Sequence, residues 1–116
     1  MGAGHDFNGK MTSVSANYSF MFDDSYDLYE FNFANVMNYA ELANLMAPRP
    51  FMVERGHSDD VAEDEWVAYE YAKVRRFYAR MGISDRTTIE YFDGGHTIHG
   101  AGTFEFLRQH LNWAGS

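Results

Sequence analysis

Two residues in this sequence have the types and placement for acid–base chemistry. His96 follows a glycine pair in Asp93-Gly94-Gly95-His96, and Asp59 closes the run Arg55-Gly56-His57-Ser58-Asp59. A neutral imidazole can take a proton from a nucleophile and return it to a leaving group, because it titrates near neutrality. It needs an acceptor on its far nitrogen to fix the tautomer and stabilise the imidazolium. Asp59, 37 positions upstream, is the best candidate for that acceptor. Asp60 is the second choice and is better suited to capping a helix. Asp93 is a weaker third, because the short turn to His96 would have to fold it back. Each residue also has a plainer reading, His96 as a surface-loop histidine and Asp59 as a helix cap.

Two further constellations have the residue types for chemistry. His57, Asp59, His96 and His99 are ligand types for zinc or iron. The His96-x-x-His99 spacing crosses a glycine-rich loop and matches no compact metal signature, so no metal and no cofactor are expected. Of the possible nucleophiles, Ser13, Ser15, Ser19 and Ser25 precede the acid. None stands in a glycine-flanked elbow of the kind that exposes a hydroxyl and sets amides for an oxyanion.

The elements that must position these groups are legible from pattern. Thr87 to Phe92 is β-branched and aromatic and reads as a strand ended by Asp93-Gly94-Gly95. Phe51-Met52-Val53-Glu54 reads as a second strand, and Arg55 to Asp59 leaves its end. Asn38 and Glu41 form a capping-box pattern at the start of a short helix. Pro48 ends that helix, and Pro50 keeps the chain extended. Asp60 and Glu63 are expected to cap a helix over about 61–81, with Gly82 as the stop. Its apolar stripe is Val67, Tyr71, Val74, Tyr78 and Met81. Residues 97–102 read as a flexible linker, and Thr103 as the cap of a last helix carrying Phe104, Leu107 and Leu111 on one face. Upstream, residues 10–15 are a candidate strand, and Asn17 to Asn35 is an aromatic and acidic stretch without a clear period. Strand, helix, strand, helix implies an α/β fold whose helices cover both faces of a short, mostly parallel sheet, a three-layer sandwich. So short a sheet would have bare edges, which predicts a homo-oligomer or a companion chain along one of them.

These pieces together resemble the C-terminal part of an α/β-hydrolase, in the esterase, acetyl xylan esterase and dienelactone-hydrolase-like branch. Three stretches carry the resemblance. They are Gly56-His57-Ser58-Asp59 as the Gly-x-x-Asp acid turn, Gly94-Gly95-His96 as the Gly-His turn, and Ala47-Pro48-Arg49-Pro50 leading into the first strand. Acid precedes histidine, as in that family. The resemblance implies the C-terminal half of the fold, in a single partial domain over residues 1–116 whose first 35 residues are poorly defined. It implies hydrolysis of a small carboxylic ester, with Asp59 and His96 serving a serine that is not in this chain. The family's Gly-x-Ser-x-Gly nucleophile elbow does not occur here. The alternative is a non-catalytic remnant, or a homo-oligomeric assembly module, that keeps the hydrolase scaffold.

Composition narrows the remaining classes. Seventeen acidic and nine basic residues give a formal net charge of -8, and no basic run is longer than two. That argues against nucleic acid as a partner, since phosphate contacts need clustered positive charge. Cysteine is absent, which excludes disulfides and thiolate chemistry. No apolar stretch approaches membrane-spanning length, so no membrane partner is expected. No signal peptide is visible at the start, which favours a cytoplasmic location. Aromatic residues make up 17% of the chain, a payload suited to a partner surface.

Overall fold

The computed structural model describes Asn32 and residues 36–112. The candidate strand at 10–15, the four upstream serines and, apart from Asn32, the stretch from Asn17 to Asn35 lie outside the described residues. Within them the order is α1 (Tyr39–Asn44), β1 (Phe51–Gly56), α2 (Asp64–Arg80), a 3-10 turn (Ser84–Arg86), β2 (Thr87–Phe92) and α3 (Ala101–Leu111). This is a small α/β fold, three helices packed with a two-stranded sheet. The strands run parallel and in register, Phe51 beside Thr87 through to Gly56 beside Phe92.

Because side chains alternate along a strand, each face of the sheet has its own partner. Phe51, Val53 and Ile89 point to the face on which α2 lies. There Val53 packs in one cluster with Val67, Tyr71, Val74 and Tyr78, and with Ala40 and Ala43 of α1. The expected stripe on α2 is therefore the core stripe as far as Tyr78. Met81, its last expected member, is 47% exposed. The helix stops where glycine predicts. Gly82 adopts φ +73, and the amides of Gly82 and Ile83 donate to the carbonyls of Ala79 and Tyr78 at 3.0 Å each. That is the Schellman closure, which satisfies carbonyls the helix end leaves free.

The start of α2 differs from expectation. The helix begins at Asp64 with Glu63 as the capping position, and no side chain bonds across the cap. Val61 and Ala62 belong instead to the turn that carries Asp59. The reason lies in Arg55, whose guanidinium draws this loop inward.

The α3 helix also departs from the expected boundary. It begins at Ala101, so Thr103 stands in its first turn, and residues 97–102 are not a free linker. The amides of His99, Gly100 and Gly102 are held by the other sheet face. The Glu54 carboxylate accepts from the amides of His99 (3.1 Å) and Gly100 (2.8 Å), and from the Thr103 hydroxyl. Glu90, directly beside Glu54 in register, accepts from the Gly102 amide at 2.9 Å and meets His99 Nδ1 at 3.1 Å. Two carboxylates side by side would repel each other. The helix N-terminus supplies the positive potential that lets them share the site.

A parallel device seats α1. Glu70 of α2 is fully buried, accepts from the Ala40 amide at 2.7 Å and pairs with Lys73. Glu41 reaches back to the Asn38 amide at 2.9 Å, the arm of the capping box that the sequence pattern predicts.

Candidate functional site

The site forms where the two strands end. Beyond Gly56 and Phe92 the ladder continues as two loop hydrogen bonds, from the His57 amide to the Phe92 carbonyl at 3.0 Å and from the Ser58 amide to the Gly94 carbonyl at 2.9 Å. They fasten the acid loop to the histidine loop. Gly56 makes the approach possible, since a Cβ there would sit 2.5 Å from the carbonyl oxygens of both Gly94 and Gly95.

This closure brings the two expected site residues together. His96 Nδ1 lies 3.0 Å from Asp59 Oδ2. The acid is enclosed and the histidine is open, with side chains 12% and 71% exposed. Asp59 is held from several directions. Its Oδ1 accepts from the Val61 amide at 2.9 Å, its own amide donates to Gly56, and Arg55 Nη1 stands 3.5 Å from Oδ2. Burial alone would raise the Asp59 pKa. The Val61 amide, His96 and Arg55 outweigh burial and hold the carboxyl below the ordinary aspartate value.

A cleft of about 490 Å³ opens beside His96, lined by Met52, Glu54, Gly56, Asp59, Ile98 and Thr103 among others. With Nδ1 occupied by Asp59, the free Nε2 edge of an exposed ring is the one available to a reacting group. The arrangement can move a proton at Nε2 while Asp59 stabilises the charge at Nδ1.

Asp60 and Asp93, the other candidate acids, are exposed. His57 and His99, the other candidate ligands, each take a carboxylate of their own. His57 Nδ1 meets Asp64 Oδ2 and stacks on Tyr91, with ring centroids 5.6 Å apart. His99 meets Glu90 and stacks on Phe92 at 4.5 Å. Among the described residues no group of three or more histidines and carboxylates is placed to hold a metal ion. Nor is any described helix long and apolar enough to cross a membrane.

Three histidine–carboxylate pairs thus occur among the described residues, and pairing alone does not mark chemistry. What distinguishes His96 is its glycine-bounded loop, its enclosed acid and its open ring beside a cleft. Sequence reasoning missed Arg55, Asp64, Glu54 and Glu90. One signal was present for Arg55. Strand alternation puts it on the core face with Phe51 and Val53, where a cation needs carboxylates, and acidic residues crowd the loop that follows. No family model, curated protein or solved structure matches this chain.

Proposed function

We propose that this chain supplies the acid and the base of a serine-type carboxylic ester hydrolase. Asp59 orients His96, and His96 Nε2 takes the proton of a serine hydroxyl as it attacks the ester carbonyl. The same nitrogen then returns the proton to the departing alkoxide. The serine comes from outside this chain. Should the chain alone turn over esters through a serine of its own, Ser15 and Ser19 are the positions to replace. The substrate class, a small ester such as an acetyl ester, follows from the resemblance to the C-terminal half of an α/β-hydrolase. So does the placing of α2 and α3 as the two outer layers of a larger three-layer sheet. The observation that carries the reading is the 3.0 Å contact between His96 Nδ1 and an enclosed Asp59, with the His96 ring exposed and lining a cleft.

Turnover of a chromogenic acetyl ester by the full chain, beside His96→Ala and Asp59→Ala, tests it. An exposed, oriented imidazole attacks so activated an ester even without the serine. His96→Ala is expected to lose about tenfold or more, and Asp59→Ala a smaller share. A His96→Ala chain as fast as the parent would sink the reading.

The second reading is an assembly module with the hydrolase scaffold and no turnover. Exposed apolar side chains favour it, with Leu45 at 66%, Phe104 at 71% and Leu111 at 65%. Under either reading the chain associates with a second copy or a companion chain along its sheet edge.

A further inference from the structure

Arg55 lies on the core-facing side of β1 and is only 3% exposed. An unpaired guanidinium there would be very costly. Instead, its nitrogens all meet the acid loop or its end. Nε donates to Asp64 Oδ1 at 2.6 Å. Nη2 donates to the carbonyls of Asp59 at 3.0 Å and Ala62 at 2.5 Å. Nη1 is buried without a hydrogen bond and faces Asp59 Oδ2 at 3.5 Å. That oxygen is the one that meets His96 Nδ1. The other oxygen of Asp64 takes His57. One cation therefore stands between two histidine–carboxylate pairs.

We propose that Arg55 is the positioning residue of the His96 site. Its planar fork fixes the loop from Asp59 to Asp64 so that the Asp59 carboxylate stands against His96, and it joins the His57–Asp64 pair to the same unit. The fork matters as well as the charge. A lysine ammonium is a point charge on a flexible stem and cannot reach Asp64, Asp59 and the Ala62 carbonyl in one plane. Only the catalytic consequence of this proposal rests on the hydrolase reading.

The test follows the neutral tautomer of each histidine by 15N NMR of the full chain in mildly alkaline buffer. Arg55→Lys, Arg55→Gln and Asp64→Asn are compared with the parent. The Nδ1–H form of His96 should fall by roughly half or more in Arg55→Lys despite the retained charge, and as far in Arg55→Gln. His99, held by Glu90 on the opposite sheet face, should keep its parent form. Unchanged His96 signals in folded Arg55 variants would overturn the proposal. If both variants fail to fold, Asp64→Asn decides, because it takes the charge from the carboxylate that meets both Arg55 Nε and His57 Nδ1 at the rim of the loop. Movement of both His57 and His96 supports the shared unit, and movement of His57 alone overturns it. Ester turnover is measured on the same samples. A chain without turnover whose His96 tautomer still depends on Arg55 would sink the hydrolase reading and leave this proposal standing.

Discussion

Gly56 leaves no space for a methyl group, because two carbonyl oxygens stand 2.5 Å from where its Cβ would be. Both belong to the backbone of the histidine loop, which cannot rotate aside as a flexible side chain would. Gly56→Ala is therefore expected to push the two loops apart, break the Ser58–Gly94 bond and separate Asp59 from His96. The expected loss of stability is about 3 kcal/mol by urea unfolding, at the upper end for an overpacked site. A variant as stable as the parent would show that the loops do not approach this closely. Asp59 and Asp64 carry the pH dependence at this scale. In both, burial raises the pKa and the neighbouring partners more than offset it, so the folded value is depressed. Such a group contributes stability above the ordinary aspartate value of about 3.9. The contribution is lost as the pH falls through the depressed folded value. Asp59→Asn should therefore lie below the parent in stability at neutral pH and converge with it in strong acid, as followed by circular dichroism.

At the scale of elements, acidic side chains of one element close the N-terminus of another. Glu70 does this for α1, and Glu54 with Glu90 does it for α3. Glu54 is held below the ordinary glutamate value chiefly by the Thr103 hydroxyl. Burial opposes that shift, and the amides of Gly100 and His99 add to it. Loss of a cap is worth roughly 0.5–2 kcal/mol, so Glu54→Ala should speed amide exchange in the first turn of α3 about tenfold. Unchanged exchange at Gly100 and Gly102 would show that α3 docks by packing alone. The sequence made β1, β2 and α2 legible, because periodicity, Gly82 and the Asp93-Gly94-Gly95 break are local signals. It also brought Asp59 and His96 forward, because two strand ends in parallel register must meet. The α3 boundary was not legible. Its N-terminal partners are Glu54 and Glu90, 46 and 12 positions before the amides of Gly100 and Gly102 that they bind. Only the strand register places them there. Thr103 looked like a cap for the same reason, since nothing local announces a carboxylate arriving from the sheet.

At the scale of the whole molecule, the two strands found among the described residues would by themselves make a marginal sheet. The described surface leaves Leu42 of α1 exposed, with Leu45 and Met46 in the turn that follows it, and Phe104, Leu107 and Leu111 of α3 as well. The helical spacing of Phe104, Leu107 and Leu111 predicts one apolar face, and that face is on the outside. A chain with this surface should associate in a concentration-dependent way. Sedimentation velocity over a range of concentrations is expected to show a dimer growing in. A single monomeric species throughout would contradict the oligomer proposal and favour a companion chain. The net charge of -8 repels a second copy at low ionic strength, so the dimer is expected to strengthen as salt is added.

The central claim is that Asp59 holds His96 with its proton on Nδ1 and its Nε2 lone pair free to act as a base. The 15N signals of the neutral His96 ring report that directly. The parent chain should show the Nδ1–H form, and Asp59→Asn should shift the ring toward the Nε2–H form that an unassisted imidazole prefers. A parent His96 already in the Nε2–H form, unmoved by Asp59→Asn, would mean that the pair does not act as acid and base.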